Sequence, residues 1–357
     1  MDLARPFASV LIDTYNHERF IEEAIVSALD QEFPASDREI LVVDDGSTDR
    51  TPEIVRRFEP SVRLLRKPNG GQASAFNAGI PECKGEVVAF LDGDDWWAPG
   101  KLRAVCDTLA ADTAVGLVGH GIVIRHPDGR LQTDTLNAGH RFSANNLVDA
   151  RLFRLRKSFL GTSRMTIRTE LLRRIGTVPA TLTIQADEYL FTLAAALSWA
   201  VILPEALTFY RLHEANLFHM ATRDPFKMRA KYAALHSLAK FLAQELAVHQ
   251  IDLQVNQMIA EAVQAEADQL RLEIEGGWPW ETVHVEWLAY RILHPEVSLG
   301  NRMLKLASLF PALFLTPRAF YRVRQKFAQS YLYLQFRKRW LPAPKLPHVS
   351  TEWRPGA

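Results

Sequence analysis

Cysteine is scarce in this chain of 357 residues, which contains only Cys83 and Cys106. Two cysteines cannot form the disulfide framework of a small secreted domain, and their separation does not match the spacing of zinc ligands. The first residues also lack the apolar run of a secretory signal. We therefore expect a cytoplasmic protein.

Long apolar runs are missing as well. A helix that crosses a bilayer needs about 20 apolar residues, whereas the longest uncharged stretches, 189–204 and 306–317, are shorter and end at a proline. We predict no transmembrane helix. The glycine patterns of dinucleotide-binding and P-loop enzymes are also absent, which argues against both classes.

Acidic residues are missing from one segment, although the whole chain is nearly neutral, with 42 Lys and Arg against 41 Asp and Glu. No acid occurs between Glu296 and Glu352, where ten basic residues give a charge of +10 and leave −9 on the remainder. This tail is therefore a different kind of surface from the body. The acidic body carries no nucleic-acid-binding module, so we predict no nucleic-acid partner.

Short β-branched runs alternate with amphipathic runs up to about residue 205, which is typical of an α/β protein with a mostly parallel sheet. The predicted strands are 7–12, 39–43, 62–65, 87–91, 115–125, 165–167 and 200–203. From 224 to about 272 the period becomes helical. We predict three parts: an α/β domain (1–220), a helical appendage (221–296) and a basic amphipathic tail (297–357).

Three carboxylates, Asp92, Asp94 and Asp95, follow the fourth predicted strand within four positions. Like charges packed this closely repel each other unless a cation lies among them. Such oxygen ligands suit Mg²⁺ or Mn²⁺, which usually keep coordination positions for substrate phosphates. A solvated acidic turn is the alternative interpretation, but the buried strand and the Trp96-Trp97 pair beside it favour a site.

A second acidic pair, Asp44 and Asp45, ends the second predicted strand. Ligands of open α/β sheets bind at the carboxyl ends of strands, so both acidic groups are expected to line one cleft. A carboxylate there can accept a hydrogen bond from a base or a ribose. Asp-Gly-Ser is also ordinary turn sequence.

Four segments together resemble, in order and spacing, the inverting glycosyltransferases of family 2, which have the GT-A fold (a Rossmann-like, mostly parallel sheet). The segments are 10–16, 42–51, the pair Asn69-Gly70-Gly71 and Asn77-Ala78-Gly79, and 91–99. The resemblance covers about residues 7–215. It implies transfer of a sugar from a nucleoside diphosphate sugar, UDP-linked, to an acceptor hydroxyl with inversion, in polysaccharide or glycolipid synthesis.

The resemblance also implies roles for individual residues. Asp45 matches the position that contacts uracil, and the Asp-x-Asp pair would hold Mn²⁺ or Mg²⁺ on the diphosphate, which assists the leaving group. The implied metal ligands are Asp92, Asp94, Asp95 and His213. The implied nucleotide-sugar contacts are Asp13, Thr14, Tyr15, Asn16, Asp44, Asp45, Gly71, Asn77, Asp92, Gly93 and Arg211. Two positions depart from the family: Asp13 stands where proline is common, and Phe76 where arginine often occurs.

On the acceptor side, Asp187 matches the general base at the start of a helix, with Glu188 as a neighbouring alternative. An acidic residue stabilised by the helix dipole is the other interpretation. Residues 161–163 match the lining of the acceptor cleft by position. The expected acceptor is a carbohydrate or a lipid-linked molecule.

Two rival functions stay open. A nucleotidyltransferase should carry a glycine-rich, basic loop after the first strand, and residues 13–17 do not form one. A non-catalytic membrane-surface scaffold is the second rival.

The tail itself predicts peripheral attachment to an anionic inner membrane face. Its apolar residues alternate with the basic ones. They are Leu306, Leu309, Phe310, Leu313, Phe314, Phe320, Tyr321 and Phe327. Packing of this face against the body, or a dimer contact, is the alternative.

Overall fold

The computed structural model describes residues 7–213, 216, 224–295 and 298–328, with only the backbone described for 325–328. These residues form two compact units. Of the described residues, the first unit comprises 7–213, 216 and 241–256, and the second comprises 224–240, 257–295 and 298–328. The predicted three-part division stays a prediction.

In the part of the chain that the structure describes, ten strands form one sheet. They are β1 (Ala8–Thr14), β2 (Arg38–Asp44), β3 (Arg63–Arg66), β4 (Val87–Asp92), β5 (Trp96–Trp97), β6 (Val115–Arg125), β7 (Leu131–Asp134), β8 (His140–Phe142), β9 (Thr166–Arg168) and β10 (Trp199–Arg211).

The described part of the chain also contains α-helices of six to 24 residues. They are α1 (Ile21–Leu29), α2 (Thr51–Arg56), α3 (Gln72–Gly79), α4 (Lys101–Ala111), α5 (Leu147–Arg156), α6 (Thr169–Ile175), α7 (Ala186–Leu197), α8 (Pro225–Val248), α9 (Leu253–Glu275), α10 (Pro279–Leu293), α11 (Leu299–Leu309) and α12 (Pro317–Ala328).

The sheet has the order β3-β2-β1-β4-β9-β6-β10-β5, with β7 beside β6 and β8 beside β10. Strands β1 to β4 are parallel, and β6 is parallel to β10, whereas β9 runs against both of its neighbours. The predicted mostly parallel α/β sheet is thus confirmed. Strands β7 and β8 and helix α5 were not predicted.

The central strands carry apolar residues on both faces because both faces of the sheet are covered. On β1, Val10 and Ile12 pack in one core with Ile25 of α1 and Val105 of α4. The alternate residue, Leu11, faces Gly79 of α3 on the other side. The continuous apolar runs in the sequence follow from this two-sided burial.

The second unit contains a small core of its own. Leu272, Val285, Leu309, Ala312, Phe320 and Tyr321 pack there. This corrects part of the membrane-face prediction, because Leu309, Phe320 and Tyr321 are buried in the protein. The side chain of Phe327 lies outside the described residues. Within the described part of the chain, none of the helices is sufficiently long and apolar to cross a bilayer.

Gly85 lies where the turn before β4 approaches the backbone of β1. A Cβ at this position would lie 2.5 Å from the backbone nitrogen of Ser9 and 2.8 Å from the carbonyl oxygen of Phe7. We expect Gly85→Ala to lower the free energy of unfolding by about 1–3 kcal/mol, because β1 must shift from its place in the sheet. Urea unfolding measures the loss. Gly100→Ala is the matched control, since a Cβ there meets nothing within 4 Å, and an equal loss in both variants would contradict the explanation.

Candidate active site

The acidic residues of the sequence motifs meet at the carboxyl ends of adjacent parallel strands. The register places Asp13 of β1 opposite Asp92 of β4 and Thr14 opposite Asp44 of β2. The turn after β4 adds Asp94 and continues from Gly93, whose N–H donates to the carbonyl of Asp13 (2.9 Å). Both acidic groups therefore lie at the edge of the sheet where the sequence predicts a cleft.

Asp94 is surrounded by nitrogen groups from distant segments. Its Oδ2 lies 3.0 Å from Nε2 of His213, 3.3 Å from Nδ2 of Asn216 and 3.8 Å from Nε2 of His17. Burial alone would raise the pKa of Asp94, but the hydrogen bond with His213 and the charges of both histidines hold it below its usual value. Asp94 is thus kept ionised.

Asp13 and Asp92 have the opposite electrostatic environment. Burial first, and then the charge of Asp94, raises the pKa of Asp13 to about 8. Burial and the charge of Asp13 raise the pKa of Asp92 well above its usual value. Oδ1 of Asp13 is buried and has no hydrogen-bond partner among the described residues. Asp13 and Asp92 therefore hold a proton more readily than free carboxylates do unless a cation binds beside them.

These residues fit a divalent cation that shares its coordination with a substrate. Within the described ranges, no group of three or more His, Cys, Asp or Glu side chains has the arrangement of a complete metal cage. Mg²⁺ and similar ions are often bound by one or two carboxylates plus phosphate oxygens and water. Such an ion would balance the buried charge of Asp92 and Asp94 and satisfy the unpartnered oxygen of Asp13.

Asp95 holds loops together. One of its oxygens accepts from Oγ of Ser163 (2.6 Å) and the other from the N–H of Arg211 (3.1 Å). The same Ser163 hydroxyl lies 3.2 Å from Oδ2 of Asp92. Asp95 thereby connects the turn after β4 with the end of β10, and its assignment as a metal ligand stays a prediction.

The pair that ends β2 also has donors from the protein. Asp44 accepts from the N–H of Ser47 (2.9 Å) and forms an ion pair with Arg66 (3.1 Å). Asp45 contacts Nζ of Lys67 (2.5 Å) and accepts from the N–H of Gly71 (2.7 Å). Both carboxylates therefore hold the loops that follow β2 and β3.

Gly71 is confined by a close approach of two loops. Its φ is +80°, and a Cβ would lie 2.8 Å from backbone atoms of Thr183. The next residue, Gln72, connects two other segments. Its Nε2 donates to Oγ1 of Thr162 (3.0 Å), and its Oε1 accepts from the N–H of Ala186 at the start of α7 (3.1 Å). Sequence reasoning missed Gln72, although its place directly after the Gly-Gly pair was a signal.

The loop after β1 is tied to the loop after β2. Asn16 has a left-handed φ of +56°, accepts from the N–H of Thr48 (2.8 Å) and donates its own N–H to Oγ of Ser47 (2.8 Å). Oγ1 of Thr14 lies 3.2 Å from Nδ1 of His17, and Tyr15 is 44% exposed. His17 is a second residue that the motifs did not identify.

Two predicted nucleotide-sugar residues are engaged by other groups. The amide of Asn77 donates to the carbonyl of Val178 (2.7 Å) and accepts from its N–H (2.9 Å). Arg211 forms an ion pair with Glu23 and lies over the ring of Trp96, 4.6 Å from its centroid. Their assignments to the donor stay predictions.

The two acidic residues at the start of α7 differ sharply. Oδ2 of Asp187 accepts from the N–H (3.3 Å) and Oγ1 (3.4 Å) of Thr162, and burial, followed by the charge of Glu188, raises its pKa. Glu188 pairs with Arg154 (2.5 Å) and Lys157 (2.9 Å). Burial would raise the pKa of Glu188, but these two cations lower it to about 2. Asp187 is therefore the better candidate base, and Glu188 anchors the helix.

Comparisons of sequence agree on a family. Residues 9–176 match the model described as glycosyl transferase family 2. An uncharacterized glycosyltransferase of Nostoc sp. is 33% identical over 231 residues, which are 63% of this chain and 71% of that one. A chondroitin synthase of Pasteurella multocida is 34% identical over 148 residues, which are 41% of this chain and only 15% of the synthase.

Solved structures share the fold. Residues 1–349 of Staphylococcus aureus TarS in complex with UDP-GlcNAc match with a TM-score of 0.54 and 20% identity, over 88% of this chain and 91% of that one. A mannosyltransferase of Pyrobaculum calidifontis in complex with GDP-Man and Mn²⁺ matches with a TM-score of 0.51 and 21% identity, over 94% and 88%. The predicted GT-A-like fold is confirmed.

Glu188 provides a test of the contrast at the start of α7. We expect Glu188→Gln to lower the free energy of unfolding by about 3–5 kcal/mol at neutral pH, because it leaves buried Arg154 without its carboxylate. Since the folded pKa lies below the ordinary 4.5, this stabilisation is present above pH 4.5 and is lost as the pH falls towards 2. Chemical unfolding across this range measures it.

The control is Glu22→Gln, which changes an exposed carboxylate of α1. We expect a change within about 0.5 kcal/mol for this variant. Equal stability of Glu188→Gln and the wild type at pH 7 would contradict an anchoring role.

Proposed function

The chain belongs to glycosyltransferase family 2, and we propose that it moves a sugar from a nucleoside diphosphate sugar, UDP-linked, to an acceptor hydroxyl with metal dependence and inversion. The observation that carries this proposal is the division of the buried carboxylates into two groups. Asp13, Asp92 and Asp94 gather at the strand ends, while Asp187 lies on α7 and its charge still raises the pKa of Asp13 and Asp92.

On the donor side, Asp92 and Asp94, with His213 beside Asp94, would hold Mn²⁺ or Mg²⁺. When bound, such an ion neutralises the diphosphate and makes it a better leaving group. His17 approaches Asp94 from the loop after β1, so this histidine and His213 orient the carboxylate from two sides. The cation requirement follows from the burial of Asp13, Asp92 and Asp94 and from their mutual repulsion, which raise the pKa of the first two.

On the acceptor side, Asp187 is the proposed general base. The acceptor oxygen forms a bond to the anomeric carbon while the bond from that carbon to the diphosphate oxygen breaks, and the acceptor proton goes to Asp187. Attack opposite to the leaving group inverts the anomeric centre. The raised pKa of Asp187 increases its affinity for the proton, and Thr162 holds the carboxylate in position.

A uridine nucleotide is supported by the structural relative in complex with UDP-GlcNAc, and a guanosine nucleotide by the one in complex with GDP-Man. We propose UDP, because Asp45 directly follows β2 at the position that the family uses for uracil. Polysaccharide or glycolipid synthesis is the proposed context, as a chondroitin synthase is among the relatives. We also propose that the basic tail attaches the enzyme to an anionic membrane face, near a lipid-linked acceptor.

Asp94→Asn tests the cation site. We expect it to abolish transfer measured as UDP release with saturating Mn²⁺, since an amide lacks the charge that the ion requires. Stabilisation by UDP with Mn²⁺, measured as a shift in melting temperature, should also fall. Asp107→Asn, in an exposed position of α4, should behave as the wild type. Wild-type turnover in Asp94→Asn would remove this residue from the site.

Asp187→Asn tests the base. We expect transfer to fall by about 10² to 10⁴-fold, while the melting shift caused by UDP with Mn²⁺ is retained, because the base acts on the acceptor. In the wild type the rate should decline as the pH drops through the raised pKa of Asp187, since the protonated form cannot accept a proton. Unchanged transfer in Asp187→Asn would exclude it as the base.

A further inference from the structure

Helix α11 and the turn that follows it leave an apolar stripe uncovered. Leu299, Met303, Leu306, Phe310 and Leu313 follow one another at spacings of four and three residues, which places them on one side of a helix. With Phe314, their exposed fractions range from 41% to 74%. We call these six residues the docking face.

The exposure of the docking face does not result from poor packing of the unit. The other side of the same segment supplies Leu309 and Ala312 to the core, where they pack with Phe320 of α12. The short helical turn Phe310–Leu313 continues α11, and the rings of Phe310 and Phe314 pack edge to face at 5.1 Å. The segment therefore has one buried side and one apolar side that the described residues leave exposed, and large exposed apolar patches mark interaction surfaces.

Cations accompany the docking face. Arg302 and Arg322 are exposed, whereas Lys305 and Arg324 pair with buried Glu286. The surrounding sequence, from 297 to 351, contains ten basic residues and no acidic ones. The partner that fits is apolar beneath and negatively charged at its surface.

A second copy of this chain is a poorer occupant. Two docking faces brought together would also bring together two segments that carry +10 each, and like charges repel across a shared interface. An anionic lipid surface attracts each Lys or Arg and accepts the apolar side chains below its headgroups. We propose that the docking face inserts into the headgroup region of an anionic bilayer, with the helix lying parallel to the surface.

This proposal deepens the proposed function and rests on it for the lipid-linked acceptor. It differs from the sequence prediction in the residues it assigns, because Leu309, Phe320 and Tyr321 stay buried in the protein. The side chains that enter the bilayer are instead Phe310 and Phe314, which are 61% and 73% exposed, and the exposed aliphatic residues of α11.

The experiment is co-sedimentation of the full-length chain with vesicles of phosphatidylcholine containing about 30% phosphatidylglycerol, a composition chosen to supply anionic surface. We expect binding at low salt, weaker binding at high salt and little binding to pure phosphatidylcholine. The double variant Phe310→Ser/Phe314→Ser should lose at least about tenfold in partitioning, since two large apolar groups no longer enter the bilayer. Arg302→Gln/Arg322→Gln should weaken binding mainly at low salt.

The matched control is Leu131→Ser/Leu253→Ser, which removes two apolar side chains that are 59% and 66% exposed elsewhere. This control should bind vesicles as the wild type does. All three variants should keep the melting shift caused by UDP with Mn²⁺, so a failure of donor binding and a failure of docking are seen separately. Absence of sedimentation at low salt, or wild-type binding by the phenylalanine variant, would overturn the proposal. So would a concentration-dependent dimer that the same variant abolishes.

Discussion

The accumulation of buried negative charge at the carboxyl ends of β1 and β4 is the constraint on which this structure depends. Asp13 and Asp92 lie opposite each other in the register, and Asp94 follows two residues later. Such a group is costly in a protein interior unless protons or cations compensate it. The histidines beside Asp94 compensate one carboxylate, while Asp13 and Asp92 have strongly raised pKa values. The site is thus prepared for a ligand that brings positive charge.

The acidic residues around this centre divide by the donors that the protein gives them. Asp45, Asp95 and Glu188 receive hydrogen bonds or ion pairs from several groups, and each fixes a loop or a helix end. Asp187 accepts one short hydrogen bond, from the N–H of Glu188 (2.7 Å), and two longer ones from Thr162 (3.3 and 3.4 Å). The same distinction separates Asp187 from Glu188, which are adjacent in sequence.

The loop that holds Asp45 also supports the proposed base. Gly71 donates to Asp45, and the following Gln72 bonds both Thr162 and the first residue of α7. Because Thr162 in turn contacts Asp187, a short series of hydrogen bonds connects the carboxylate of Asp45 with the proposed base. A substitution at Gln72 would therefore disturb the position of the base without touching a carboxylate. Preorganisation of this kind is important because small displacements of a reacting group are costly in rate.

The sequence by itself determined the strand and helix pattern of the first half apart from β5, β7, β8 and α5, together with the family and the acidic motifs at the strand ends. These are local signals: apolar period, turn residues and short motifs whose spacing survives without tertiary contacts. Only the tertiary structure decided which of Asp92, Asp94 and Asp95 meets His213, that Glu188 is neutralised by Arg154 and Lys157, and that Gln72 joins two loops. It also decided that Phe320 is buried while Phe310 and Phe314 are exposed. Those outcomes depend on residues far apart in the chain, whose contacts no local pattern encodes.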